Sequence, residues 1–234
     1  LAYRARQAWR ALLCLHSLPP HDGSIGERFL RLAISDSLAR DWSLAFFLLE
    51  HTEDALVMRS VEKALRFATA RSRGDALEEL SNLGDRETAR LLVPMAEPGP
   101  LEERVAQLGG RVEVPQDAEG AYELARRSPN RWIRTGCALA EGPAERRAAL
   151  EDDMEKLLAL KQVPLFSHFS LEQLEAVSRV SRDAVYLAGD PILREGDPGG
   201  DLFVVLAGRV RVTKNHGTPT AIDLGELGGG SYFG

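Results

Sequence analysis

Apolar residues recur at helical spacing from Leu1 to about Lys161, and the alternation typical of β-strands is nearly absent there. The longest stripes are Trp9, Leu12 and Leu13; then, after Pro19-Pro20, Ile25, Phe29 and Leu32; Trp42, Phe46 and Leu49; and Leu56, Val61, Leu65 and Ala68. Shorter segments follow at residues 76–83, 87–95, 101–108, 118–127 and 131–140. The pattern predicts that this part of the chain is all helix.

Several of these segments begin or end at residues that suit helix termini. Asp85, Asp117 and Asn130 each precede a segment, where the side chain can accept hydrogen bonds from the free N–H groups of the first turn. Gly84 is predicted to close the preceding helix in a left-handed conformation. Short helices joined by short loops favour a bundle or a stacked solenoid.

One helical segment resembles part of a known repeat. Asn130-Arg131-Trp132-Ile133-Arg134, followed by Cys137-Ala138-Leu139, is similar to the second half of a HEAT-type repeat, and residues 40–49 match it more loosely. Small residues at such positions let neighbouring helices approach closely, and each helix pair buries its apolar face by stacking on the next. The resemblance implies a HEAT-like solenoid over residues 1–150, with an irregular helical bundle as the alternative.

Residues 151–234 are predicted to form a second domain that starts with helices. The apolar run from Met154 to Leu160 leads into Val163-Pro164-Leu165-Phe166, and residues 171–180 read as a further helix. Ser170 and Gln173 have the spacing of a capping box at the start of that helix.

After Ser181 the pattern changes to short strands separated by glycine turns. Gly189, Gly196 and Gly208 stand where the chain is expected to reverse, because a positive φ costs little only for glycine. Residues 202–206 are continuously apolar, as in a strand covered on both faces, and residues 220–224 predict another strand. The sum predicts a β-roll of the jelly-roll type, and an α+β multidomain fold for the whole chain.

These strands and turns closely resemble the cyclic-nucleotide-binding domain family. The resemblance rests on the following residues: Gly189 before Pro191, Ile192-Leu193, Glu195-Gly196-Asp197, Leu202-Phe203-Val204-Val205, Gly208, Val210 and Val212. The helices of residues 154–177 are similar to the helical segment that leads into that domain. The resemblance covers about a third of the chain, from Met154 to Gly234.

The resemblance implies a binding site for a cyclic phosphate. In that family, backbone N–H groups and a helix N-terminus face the phosphate, an arginine pairs with it and a glutamate holds the ribose hydroxyl. The segment that does this would open at Tyr232-Phe233-Gly234, so Phe233 and Gly234 are the residues that carry over as ligand-binding. We expect the charged residues to follow Gly234 in a longer protein; the alternative is a site that no longer binds.

Charge and composition exclude several other functions. The net charge is −6, and neither half of the chain has the basic excess that nucleic-acid binding requires. The histidines, His16, His21, His51, His168 and His216, are scattered over separate segments and predict no metal site. Glu195 and Asp197 could be paired catalytic carboxylates, but turn formation explains them better, so no enzyme and no cofactor is predicted.

The leading hypothesis is a regulatory module that senses cAMP or cGMP in a longer, cytoplasmic protein and relays the signal to a protein partner through the helical solenoid. The alternative is a protein-interaction scaffold whose β-roll has lost nucleotide binding. The order of the two domains also resembles the tail of bacterial membrane proteins related to nucleotide transporters, which implies a membrane domain before Leu1.

Overall fold

The computed structural model describes residues 1–19, 23–67 and 70–234, so Pro20, His21 and Ala68 lie outside the described residues. The described helices are α1 (Ala2–Ser17), α2 (Ile25–Thr52), α3 (Ala55–Phe67), α4 (Ala70–Ser81), α5 (Arg86–Ala96), α6 (Leu101–Ala106), α7 (Ala118–Arg126), α8 (Arg131–Glu141), α9 (Ala144–Gln162) and α10 (Leu171–Val180). A short 3-10 helix, Pro164–Phe166, precedes α10. The strands are β1 (Phe203–Val204), β2 (Arg209–Lys214), β3 (Ile222–Gly228) and β4 (Tyr232–Phe233).

The chain forms two compact units, Leu1–Gly142 and Pro143–Gly234. The first is helical, and the second contains three helical segments followed by antiparallel strands. This layout confirms the α+β prediction. The predicted domain boundary, between residues 150 and 151, falls inside α9. None of the described helices is both long enough and apolar enough to cross a membrane.

Helix α2 is a single element where two apolar stripes had been treated as separate segments. Its residues contain no glycine or proline after Gly26, so nothing in the backbone interrupts the helix up to Thr52. The polar residues between the stripes are accommodated instead by pairing. Asp41 is buried, and it accepts hydrogen bonds from Arg4 at 3.0 Å and from Ser37 at 3.3 Å.

Helices α2 and α8 pack at unusually close range. A Cβ atom added to Gly26 would lie 2.6 Å from the backbone of Leu139 and Ala140, and one added to Gly136 would lie 2.7 Å from Cα of Leu30. Glycine at both positions therefore lets the two backbones touch. The HEAT-like solenoid is not confirmed, because α7 and α8 pack against α1 and α2, whereas solenoid repeats contact only their neighbours.

The capping predictions for the helical unit are largely confirmed. Asp85, Asp117 and Asn130 each occupy the N-cap and accept hydrogen bonds from N–H groups of the first turn. The prediction for Gly84 is wrong, since its φ is not positive. Helix α4 already ends at Ser81, and the turn is closed by the N–H of Leu83 donating to the carbonyl of Leu80. No left-handed residue is needed after that point.

The core of the helical unit is built around large side chains that are completely buried. Trp9, Phe29 and Phe46 have no accessible surface. The indole nitrogen of Trp9 donates to the carbonyl of Leu91 at 2.7 Å, so the ring is buried with its polar atom satisfied. The guanidinium of Arg104 lies 5.7 Å from the centre of the same ring.

The second unit begins with the predicted helical segments and continues into two small sheets. The capping box is confirmed: Ser170 accepts from the N–H of Gln173, whose side chain accepts from the N–H of Ser170. Strand β1 pairs with β4, and β2 pairs with β3, all antiparallel. Because each sheet has two strands in the described residues, a closed jelly roll is not confirmed.

Candidate functional site

Two tight turns of the same design lie at the start of the region from residue 184 to residue 234, called the strand region below. In the first, the N–H of Asp190 donates to the carbonyl of Leu187 at 3.0 Å. The carboxylate of Asp190 in turn accepts from the N–H of Leu187 at 2.9 Å. Gly189 has a φ of 95°, which a side chain would disfavour. Glycine and aspartate together therefore define this turn.

The second turn repeats this arrangement seven residues later. The N–H of Asp197 donates to the carbonyl of Arg194 at 3.0 Å, and the Asp197 carboxylate accepts from the N–H of Arg194 at 2.9 Å. Gly196 has a φ of 92°. The neighbouring Glu195 accepts from the backbone N–H of Asn215 at 3.0 Å. This bond ties the second turn to the end of the β2–β3 hairpin.

Both carboxylates that were weighed as a catalytic pair thus have structural hydrogen bonds. Asp197 closes its own turn, and Glu195 holds the β2–β3 hairpin through Asn215. Asn215 itself has a φ of 54°, which asparagine tolerates better than most residues. No group of three side chains suited to hold a metal ion is found among the described residues.

Phe233 lies in β4, directly opposite Phe203 in β1. The two rings stack at a centroid distance of 5.3 Å with 12° between their planes. The β1–β4 pairing continues through the N–H of Val205 donating to the carbonyl of Ser231 at 2.9 Å, and that of Gly230 donating to the carbonyl of Val205 at 2.8 Å. These contacts fix the position from which the chain reaches residue 234.

Among the glycines of the strand region, Gly234 leaves the least room for a side chain. A Cβ atom at this position would overlap the carbonyl oxygen of Asp201 and lie 3.2 Å from Cα of Leu202. No side chain fits there unless the backbone moves. Glycine at this position therefore reflects the packing of β4 against the start of β1.

Gly208 directly precedes β2 and has a φ of 86°. In β2, Arg209 and Arg211 point to solvent and face carboxylates of β3. Arg211 Nη2 lies 3.1 Å from Glu226 Oε1, and Arg209 Nη1 lies 3.7 Å from Glu226 Oε2. Because both arginines face a carboxylate, we assign neither as a partner for a phosphate group.

Two features of this region could not be predicted from the sequence. The bond between Glu195 and Asn215 joins residues 20 apart, and the approach of Gly234 to Asp201 joins two segments that share no local motif. The positions of Gly189, Gly196 and Gly208 at turns were predicted, because glycine next to an aspartate or a strand is a local signal.

The strand region matches the cyclic nucleotide-binding domain family: the family model covers residues 184–234. This match defines the class of domain to which the region belongs, and it coincides with the two turns and the four strands described above. No solved structure matches this chain.

The chain is also similar to proteins named as cGMP-dependent or cAMP-dependent kinases or their subunits. The chain is 37% identical over 76 residues to the cGMP-dependent protein kinase, isozyme 2 forms cD5/T2, of Drosophila melanogaster, and 38% identical over 78 residues to isozyme 1 of the same organism. It is 27% identical over 124 residues to the cAMP-dependent protein kinase regulatory subunit of Dictyostelium discoideum.

Each alignment covers only part of this chain and part of the relative. The Drosophila alignments include 32% of this chain and 8% or 10% of the relatives, and the Dictyostelium alignment includes 49% of this chain and 35% of the relative. The similarity therefore concerns a domain, and the activity of the complete relatives does not transfer with it.

Proposed function

We propose that this chain is a regulatory module that senses cAMP or cGMP through its strand region. The observation that carries the proposal is the match of residues 184–234 to the cyclic nucleotide-binding domain family. The relatives named as cGMP-dependent kinases and as a cAMP-dependent kinase regulatory subunit support a ligand of this chemistry. The chain itself is proposed to regulate and not to catalyse.

The ligand would be bound where β4 ends. In this proposal Phe233 and Gly234 open the phosphate-binding segment, and the stacked Phe203 and Phe233 rings hold its first residue in place. Several apolar side chains of the strand region are exposed, including Leu202, Leu224 and Tyr232. We propose that they are covered by another surface when the ligand site is complete.

The helical unit is proposed to pass the response to a protein partner in the cytoplasm. Ligand binding shifts an equilibrium between conformations only if the two conformations bind it with different affinity. A HEAT-like arrangement of the first unit, a bacterial origin and a membrane domain before Leu1 remain predictions. If the strand region binds no nucleotide, the helical unit would instead act as an interaction scaffold.

The test is isothermal titration calorimetry, in which cAMP or cGMP is titrated into the full-length protein that contains this sequence. Saturable binding of either nucleotide is the expected result. The variant Gly234→Ala should weaken it by about tenfold or more, because its Cβ would overlap the Asp201 carbonyl oxygen.

A matched control is Gly228→Ala in β3, where an added Cβ atom meets nothing within 4 Å. This variant should bind the nucleotide like the unchanged protein. Absence of saturable binding to the unchanged protein would reject the sensing proposal and favour the scaffold.

A further inference from the structure

The outer face of α2 and α3 in the helical unit exposes large apolar side chains. Phe47 on α2 is 56% exposed, and Leu56 and Phe67 on α3 are 75% and 80% exposed. By contrast, Phe46 on α2 and Met58 on α3 are buried. A cluster of such exposed side chains is typical of a protein interaction site.

Two side-chain bridges show that these residues share one face. Arg59 Nε on α3 lies 3.0 Å from Glu50 Oε2 on α2, and Arg66 Nη2 lies 3.0 Å from the Ser43 hydroxyl. Phe47 is four residues after Ser43 and three before Glu50, so it lies on the same side of α2, between the two bridges.

Lys63 has the equivalent position on α3, four residues after Arg59 and three before Arg66. It is exposed, and it lies across the helix pair from Phe47. Leu56 is seven residues before it and Phe67 four after it, so both flank Lys63 on the same face of α3. We call the face formed by Phe47, Leu56, Lys63 and Phe67 the α2–α3 surface.

In both ion pairs on the α2–α3 surface, the cation is more exposed to solvent than the carboxylate. In the pair formed by Arg59 and Glu50, the guanidinium side chain is 62% exposed and the carboxylate side chain 21%. In the pair formed by Arg66 and Glu62, the values are 44% and 25%. The carboxylates of these pairs therefore lie deeper than the cations. Exposed Lys63 adds a positive charge in the middle of the surface, and exposed Asp54, which accepts from the N–H of Leu56, adds a negative charge at the start of α3.

We propose that the α2–α3 surface binds an acidic amphipathic helix of a partner protein. The apolar and basic side chains along α3, with Phe47 beside them on α2, suit an apolar stripe flanked by carboxylates. Exposed Lys63 complements those carboxylates and selects against basic helices. This proposal names the chemistry of the partner and does not depend on nucleotide binding by the strand region.

The probe is a fluorescein-labelled peptide of about five helical turns, with leucine at i, i+3, i+4 and i+7 positions and glutamate elsewhere. Fluorescence anisotropy measures its binding to the chain Leu1–Gly234. We expect saturable binding that weakens as salt is added. A second peptide, with lysine in place of each glutamate, should bind at least about tenfold more weakly.

The variants Phe47→Ala and Lys63→Glu should each weaken binding of the acidic peptide by about tenfold or more. Tyr3→Ala on α1 and Lys214→Glu in β2 change equally exposed residues outside the α2–α3 surface, and they should leave the affinity unchanged. Circular dichroism and the melting temperature establish that each variant is folded. Lys63→Glu carries the test should Phe47→Ala alter the fold, since Lys63 is exposed.

Three results would overturn the proposal. The first is unchanged affinity for the acidic peptide in both variants. The second is equal binding of the acidic and the basic peptide, which shows a merely adhesive apolar surface. The third is Lys63-dependent binding to vesicles of phosphatidylcholine and phosphatidylserine without binding of the acidic peptide, which assigns the surface to a membrane.

Discussion

The helical unit and the strand region differ in how far their apolar residues are buried. In the helical unit Phe29 and Phe46 are completely buried, together with most of the large side chains that the helical pattern predicts to face inward. Of residues 184–234, all of which the structure describes, Val205 is the one that is buried. Leu187 and Leu224 expose more than half of their surface. Burial of apolar side chains therefore stabilises the fold of the helical unit much more than that of the strand region.

Local backbone chemistry specifies the strand region instead. Its two glycine–aspartate turns are closed by hydrogen bonds within four residues, and its sheets have two strands each. Two-stranded sheets with little buried surface are marginal in water. The difference indicates that local hydrogen bonds contribute most of the order in the strand region, whereas the helical unit contains its own apolar core.

The largest expected effect breaks the core of the helical unit. Phe29→Ala removes a fully buried ring that meets Trp132 edge-on at 6.0 Å, and it should lower the free energy of unfolding by about 3–5 kcal/mol. Denaturant unfolding followed by tryptophan fluorescence measures it, since all three tryptophans belong to this unit.

The matched change in the strand region is Leu224→Ala, at a residue that is 62% exposed. It should alter the unfolding free energy of this chain by no more than about 0.5 kcal/mol, measured by calorimetry. In a longer protein whose additional strands cover Leu224, the cost should rise to about 2 kcal/mol. Equal costs for Phe29→Ala and Leu224→Ala in this chain would contradict the contrast between the two regions.

The next effect concerns the close approach of α2 and α8. Gly136→Ala places a Cβ atom 2.7 Å from Cα of Leu30, and the resulting overpacking should destabilise the helical unit by about 1–3 kcal/mol. Gly74→Ala in α4 is the control, because an added Cβ atom meets nothing within 4 Å there. It should stabilise the protein by about 0.5–1 kcal/mol. Chemical denaturation measures both, and destabilisation by both would show that helix propensity was misjudged.

The features that were predictable from the sequence are those with short-range causes. The N-caps Asp85 and Asn130, the capping box at Ser170 and the turn glycine Gly196 all depend on neighbours within four residues. The length of α2 was not predicted, because the burial of Asp41 depends on Arg4, which is 37 residues away. A polar residue between two apolar stripes looks like a boundary until its partner is known.

The candidate site divides in the same way. Gly234 was assigned through family resemblance. The reason for a glycine there, its close approach to Asp201, becomes visible only in the paired strands of the structure. Phe47 and Phe67 lie in helices, yet both are exposed. Spacing shows that a residue belongs to a helix, but the packing of the neighbouring helices decides which of its faces is covered.

A smaller effect is expected at the N-cap of α5. Asp85 accepts from the N–H groups of Glu87 and Thr88 and from the Thr88 hydroxyl, and Asp85→Ala should cost about 1 kcal/mol near neutral pH. The hydrogen bond from the Thr88 hydroxyl is the main cause that lowers the pKa of Asp85 in the folded protein.

This lowered pKa fixes the sign of a pH dependence. The ionised carboxylate contributes its full stabilisation above the pKa of an unfolded aspartate, which is about 4. This contribution to the free energy of unfolding is lost as the pH falls through the lower pKa of the folded state. The stability difference between the unchanged protein and Asp85→Ala should therefore shrink in acid, as urea unfolding at several pH values would measure. Asp85→Asn keeps a cap and should lose this pH dependence; a difference that grows in acid would contradict the assignment.

The smallest effect is expected between the two strands of the β2–β3 hairpin. Arg211 and Glu226 are direct cross-strand partners with 3.1 Å between Nη2 and Oε1, but both are exposed. Because solvent screens such a pair, Arg211→Gln should change the unfolding free energy by about 0.2–0.5 kcal/mol, and high salt should remove the difference. A double-mutant cycle with Glu226→Gln, measured at low and high salt, tests this. A coupling energy above about 1 kcal/mol would show that ion pairs between the strands, and not only the glycine turns, stabilise the strand region.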